Sequence, residues 1–248
     1  MIQIEDQGVV RVLRMQHGKA NALDLEFCLG LETAIQELVA SPMRAAVLTG
    51  TGKIFSAGVD LKRLLDGGDT YIADFMDALE RAFTAIAFCS KPLIAAANGH
   101  AIAGGSILLC ACDRRLIAEG QARFGVPELL VGVPFPLVAL EILRAAVSPK
   151  DLPRIIYEGS TMRGPDAIAC GLADEIIPSE QLLQTSIDTA QRLAKIPANS
   201  FRATKRHLRA PLRERMVTQQ DAEKELRAVW TEPETIAAIR AFIATTLS

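Results

Sequence analysis

The chain is poor in the residues that mark several protein classes. Three histidines (His17, His100, His207) are scattered through 248 residues, and the five cysteines form no CxxC pair and no Cys/His ligand spacing. A zinc site needs several such ligands in a recognisable pattern, so no metal is expected. The odd cysteine count (28, 89, 110, 112, 170) also argues against a disulfide framework and for reduced, buried thiols, hence a cytoplasmic protein. No apolar run approaches the ~20 residues that cross a bilayer. The opening MIQIEDQGVV lacks the basic stretch and apolar core of an export signal. Excess positive charge is missing too. With 27 Lys and Arg against 29 Asp and Glu, the formal charge is −2, which predicts no general attraction to nucleic acid or to an anionic membrane. There are no internal repeats and no low-complexity segment.

What is present suits one globular unit. Half of the residues are hydrophobic and 23% are charged, enough for a sizeable core. Residues 2–6 and 9–14 alternate like short strands around Gln7-Gly8, a hairpin signal. Leu25, Cys28, Leu31, Ile35 and Leu38 fall at helical spacing behind Asp24, a capping residue, and Pro42 closes that helix. The apolar runs 44–49 and 92–97 read as buried strands, and 114–118 as a further one. A loop punctuated by Gly50, Gly52 and Gly58 follows the first run, a helix is expected over 70–88, and another starts near Gly104. Strands alternating with helices predict βαβ units and a mostly parallel sheet. After Pro134 the chain reads as almost entirely helical, broken at Pro149, Pro165, Pro178, Pro197 and Pro211.

Three segments can carry chemistry. Two glycine-containing loops each follow an apolar strand: Phe55-Ser-Ala-Gly-Val-Asp-Leu61 and Asn98-Gly-His-Ala-Ile-Ala-Gly-Gly-Ser106. Small residues let a ligand approach the backbone, and free N–H groups at a helix start favour negative charge. Two such groups on one oxygen make an oxyanion hole, although each loop taken alone reads equally as a tight βα turn. The third segment is Phe124-Gly-Val-Pro-Glu-Leu-Leu130. Glu128 stands between a proline and an apolar run; partial desolvation there suits a general acid/base, and the same position also fits a surface glutamate at a helix entry.

Together with Lys19-Ala-Asn-Ala-Leu23, these segments resemble, in order and spacing and over most of the chain, the crotonase (enoyl-CoA hydratase/isomerase) family. The resemblance implies an α/β fold, a spiral of ββα turns, with a core over residues 1–196 and a C-terminal helical trimerisation region over 197–248. It implies an acyl-CoA substrate, no cofactor beyond the coenzyme A that the substrate carries, and a homotrimer or homohexamer. Residue by residue, it places the oxyanion donors at the N–H groups of Val59 and Gly104 and the acid/base at Glu128. It places the adenine and pantetheine near Ala57, Gly58, Asp60 and Leu61, with Ala20, Ala22, Pro127 and Phe135 in the binding region. Lys19 and Lys62 match positions where cations approach the coenzyme phosphates, and both also read as solvated surface.

One departure decides the expected reaction. A hydratase resembling this family has two glutamates; here the first of those positions is Ile107 and only Glu128 is kept. One carboxylate suffices to move a proton between two carbons, and the mitochondrial Δ3,Δ2-enoyl-CoA isomerases look nearest. They also share a Pro-Phe pair like Pro134-Phe135 and a stretch like Arg215–Ala222. Ala103 stands where many members have glycine. The expected activity is therefore an isomerase of fatty acid degradation. A hydratase or other lyase on the same fold is the alternative, and a non-catalytic acyl-CoA-binding or RNA-binding scaffold a third reading. The basic stretch 202–215 reads as a solvated helix face, an oligomer contact or a phosphate contact from a neighbour. Pocket walls are expected from 64–76 and 104–137.

Overall fold

A computed structural model describes residues 1–246. The chain opens as four successive strand–strand–helix units. The first is β1 (Ile2–Gln7), β2 (Val10–Met15) and α1 (Leu25–Ala40); the second is β3 (Ala45–Thr49), β4 (Ile54–Ser56) and α2 (Leu61–Ala87). The third is β5 (Leu93–Ala97), β6 (His100–Ile102) and α3 (Gly104–Ala111); the fourth is β7 (Arg114–Ala118), β8 (Phe124–Gly125) and the short α4 (Glu128–Val131). Then follow α5 (Leu137–Ala146), α6 (Leu152–Glu158), β9 (Thr161–Met162), α7 (Gly164–Cys170), β10 (Glu175–Ile177) and α8 (Leu182–Ala194). Four helices end the chain: α9 (Ala198–Leu208), α10 (Ala210–Thr218), α11 (Gln220–Val229) and α12 (Pro233–Thr246).

The strands sort into two sheets. One has six strands in the order β1-β2-β3-β5-β7-β10, parallel except for the β1-β2 hairpin; the other runs β4-β6-β8-β9. From the second turn on, the first strand of each unit enters the large sheet and the second enters the small one. That alternation makes the spiral, so the α/β ββα architecture expected from the sequence is the one observed. β3 and β5 are buried along their whole length, as central parallel strands covered on both faces must be. One face of the sheet meets α8 through Val10, Val47, Ile94, Leu116 and Ile187. The other face meets α1, α2 and α3 in the main core, which also takes in Trp230 and Ile239 from the C-terminal helices.

Local chemistry fixes the element ends. Asp24 caps α1 by accepting from the Phe27 N–H at 2.8 Å, and Lys91 Nζ closes its other end by donating to the carbonyls of Leu38 and Ser41. Asp60 caps α2 by accepting from the Arg63 N–H at 2.9 Å. The helix therefore starts nine residues before the expected 70, and only Gly68 (φ 69°, ψ −171°) interrupts it. The pair Gly67-Gly68 breaks the apolar period that would otherwise have shown the first turns. A second correction concerns the stretch after Pro134. β9 and β10 interrupt the helices there, because each adds an edge to a sheet already built, β9 antiparallel to β8 and β10 parallel to β7. Arg115 secures that second edge with a hydrogen bond from its guanidinium to Asp174.

The C-terminal helices are tied down by charged contacts. Arg227 on α11 reaches Asp77 and Glu80 on α2, while Glu223 accepts from the Leu137 N–H at 2.8 Å. Arg215 pairs with the buried Glu141, and Lys205 with Asp113 at 2.8 Å. No helix among the described residues is long and apolar enough to cross a membrane.

Candidate active site

The turn after β4 is held in place by the segment before α1. Ala57 N–H donates to the Ala20 carbonyl at 3.0 Å, Leu23 N–H to the Gly58 carbonyl at 2.7 Å, and Asp60 N–H to the Leu23 carbonyl at 2.9 Å. The last two bonds use the carbonyl of residue 58 and the amide of residue 60. By strand geometry the Val59 N–H then points to the opposite edge. Asn21, in the left-handed region (φ 47°), braces the same segment: its side chain donates to the Phe55 carbonyl at 3.1 Å, and its own carbonyl accepts from the Ser56 hydroxyl at 2.7 Å.

The turn before α3 meets this one directly. Gly58 (φ 84°) is the contact point: a methyl built there would lie 2.7 Å from Ala103 Cβ, 2.9 Å from the Ile102 carbonyl and 3.1 Å from the Gly104 nitrogen. Ala103 itself holds φ 52° and ψ −128°, a conformation that favours glycine and costs a side-chain-bearing residue ~1–3 kcal/mol. This strain turns the chain into α3 with the first helical amide, Gly104, uncapped. Among the described residues, neither the Val59 N–H nor the Gly104 N–H donates to any protein acceptor. Two free amides therefore come from two touching turns.

Glu128 opens α4 and is 9% exposed. Its Oε2 is enclosed and has no hydrogen-bond partner among the described residues. Burial pushes its pKa up to about 8, and its own backbone N–H offsets only part of that. Glu141 is a useful contrast. It is buried more deeply, at 1% exposed, but Arg144 and Arg215 pair with it. Glu141 is buried as one member of an ion-pair network, whereas Glu128 is buried with no cation beside it, at a cost in desolvation.

These parts border one cavity of about 100 Å³. Of the residues named from the sequence, Ala57, Val59, Leu61, Gly104, Ile107, Pro127 and Glu128 line it. Glu128 is the single ionisable side chain among the lining residues, and Ile107 adds only hydrocarbon to the wall. Gly58 lies behind the lining, at the junction of the two turns. Asp60 serves as a helix cap, Ala20 as a backbone acceptor, and Ala22 is half-buried outside the lining. Lys19 and Lys62 are exposed. Phe135 is buried, and its neighbour Pro136 supplies the wall.

The expected wall from 64–76 is displaced. From α2 the cavity takes Leu61 at the start and then Leu79 and Phe83, one helical turn apart and later in the chain. Trp230 and Phe242, which reach the cavity from the C-terminal helices, were not among the residues expected there. As the single tryptophan of the chain, Trp230 was the one available clue.

Comparison with known proteins gives the family and the fold. The family model for enoyl-CoA hydratase/isomerase matches residues 5–243. A Thermus thermophilus protein named "Putative enoyl-CoA hydratase" is 35% identical over 214 residues, 85% of this chain and 84% of its own. The human mitochondrial enoyl-CoA delta isomerase 1 is 26% identical over 217 residues, 86% of this chain and 72% of its own. The crystal structure of human mitochondrial Δ3,Δ2-enoyl-CoA isomerase superposes with a TM-score of 0.93, covering 98% of this chain and 97% of that one at 23% identity, a likeness of fold.

Proposed function

The chain belongs to the enoyl-CoA hydratase/isomerase family, and on that premise we propose that it is a Δ3,Δ2-enoyl-CoA isomerase with Glu128 as its one acid/base. The observation that carries the reading is that the cavity has a single ionisable wall residue, desolvated, with one carboxyl oxygen unpartnered among the described residues.

The thioester carbonyl oxygen of a 3-enoyl-CoA accepts from the N–H groups of Val59 and Gly104. The Glu128 carboxylate removes a proton from C2. The electron pair of that C–H bond spreads through the adjacent double bond and the carbonyl as a dienolate, whose oxygen charge the two amides stabilise. Each donor of this kind is worth ~3 kcal/mol in the transition state. The protonated Glu128 then returns its proton at C4, and the double bond comes to rest between C2 and C3. No atom is gained or lost. Hydration would require a second group to position water, and the apolar Ile107 stands where the family resemblance puts that group. Parallel assays of one purified sample separate the two: turnover of 3-enoyl-CoA without hydration of 2-enoyl-CoA supports the isomerase, and the reverse supports a hydratase.

The raised pKa of Glu128 sets a pH profile. The base must be ionised, so kcat/KM for 3-enoyl-CoA is expected to rise tenfold per pH unit below about 8 and to level off above it. A profile already flat from pH 6 to 9 would remove Glu128 from the base role.

The same reading proposes a homotrimer, or a hexamer of paired trimers, built through α9 to α12, in which no cofactor is used beyond the coenzyme A of the substrate. Leu208 and Val217, 76% and 62% exposed on α9 and α10, support an apolar contact there. Light scattering of the purified protein is expected to give three or six times 26.7 kDa, and a single-chain mass would overturn it. Five buried, unpaired cysteines support a reducing, cytoplasmic setting.

A further inference from the structure

The C-terminal helices do more than pack against the spiral; they supply part of the cavity wall. Trp230, at the end of α11, is 1% exposed, and Phe242 on α12 joins it in lining the cavity. Two contacts fix this wall relative to Glu128. Arg227, three residues before Trp230, is bound to Asp77 and Glu80 on α2. α12 also presses on the turn that ends α4: a methyl built on Gly132 would lie 2.6 Å from Ala238 Cβ. The wall is therefore tied to α2 on one side and packed against the end of α4, the helix that carries Glu128, on the other.

The space between these walls is small. A dry protein cavity of about 150 Å³ takes up benzene, six carbons, so about 100 Å³ takes about four. The carbons that react already account for most of that. We propose that Trp230 and Phe242 act as an acyl-chain stop, making the protein selective for short 3-enoyl-CoA thioesters of ~4–6 acyl carbons. This rests on the isomerase reading for the reaction and on the cavity alone for the length limit. Bulk is what Trp230 contributes. Its indole N–H is enclosed and has no acceptor among the described residues, so no hydrogen bond accounts for its presence.

The test uses the full chain with 3-hexenoyl-CoA and 3-dodecenoyl-CoA as substrates, and calorimetric binding of saturated hexanoyl-CoA and dodecanoyl-CoA. The wild type is expected to favour the six-carbon chain by ~10-fold or more in both readouts. Each methylene newly accommodated is worth ~4-fold, so Trp230→Ala is expected to shift the twelve-carbon to six-carbon ratio upward by ~10-fold or more. Phe242→Ala should shift it in the same direction, and Trp230→Phe, which keeps an aromatic wall and removes the unused N–H, should hold the wild-type order. Equal handling of both lengths by the wild type overturns the proposal, as does an equal change for both lengths in the two alanine variants. If the variants do not fold, the wild-type length profile still decides. If no 3-enoyl-CoA is isomerised while hexanoyl-CoA still binds more tightly than dodecanoyl-CoA, the isomerase reading fails and the length limit stands. Absence of binding at both lengths overturns both.

Discussion

Replacing Glu128 by glutamine is expected to lower kcat for 3-enoyl-CoA isomerisation by ~10²–10⁴-fold while leaving acyl-CoA binding within a few-fold of wild type. The amide matches the carboxyl in shape, so the cavity and the two free amides of Val59 and Gly104 stay as they are. What is lost is the proton acceptor, and no other ionisable side chain lines the cavity to replace it. A variant that turns over at the wild-type rate would end the single-base mechanism. Stability carries a second signature. Burial raises the Glu128 pKa from the usual carboxylate range to about 8, so between those two values the folded chain holds a proton that the unfolded chain releases. The protonated, neutral form is what the buried site accommodates. Its contribution is complete below the unfolded pKa and is lost as pH rises through about 8. Glutamine removes that loss. Relative to wild type, Glu128→Gln is thus expected to be stabilised at pH 9, on the order of a few kcal/mol, with the difference fading towards pH 5. Urea melts at the two pH values measure it. Lost activity together with gained high-pH stability marks a functional residue held at structural cost; a merely structural glutamate would lose on both counts.

Much of this was legible in the sequence because it depends on short-range chemistry. Gln7-Gly8 forecasts the β1-β2 hairpin, since Gly8 takes a positive φ that the turn requires. Asp24 forecasts the start of α1. The runs that became β3 and β5 are apolar without alternation because both faces are covered. Glu128 was only half legible: a proline before it and apolar residues after it fit a desolvated helix entry and a surface glutamate alike, and its burial is what the structure adds. The remainder depends on partners far away in the chain. β4, β6, β8 and β9 are two or three residues long, too short for any period to show, and exist only because the spiral stacks them into one ladder. Trp230 and Phe242 belong to helices whose pattern points to some core without saying which. Their place in the cavity depends on contacts far apart in sequence, such as the Arg227 clamp on α2 across 147 to 150 residues beside Trp230.

Gly58→Ala is expected to reduce kcat by ~100-fold or more, the loss that follows removal of one oxyanion donor. The position has φ 84°, where an alanine costs ~1–2 kcal/mol. The larger effect is steric. The new methyl would meet Ala103 Cβ at 2.7 Å, the Ile102 carbonyl at 2.9 Å and the Gly104 nitrogen at 3.1 Å, all part of the opposing turn. Leu23 holds residues 58 and 60 by two backbone hydrogen bonds, so the first turn cannot back away cheaply. The second turn must then move, and with it the Gly104 amide. Combining the change with Ala103→Gly tests this account, since the shortest contact disappears while the carbonyl contact and the positive φ remain. Recovery should be partial. Circular dichroism and thermal melts establish that each variant is folded, and kcat at saturating 3-enoyl-CoA reads the loss. A folded Gly58→Ala protein with wild-type kcat would mean that the two turns need not touch for the reaction to proceed, and the paired-amide site would have to be abandoned even with Glu128 intact.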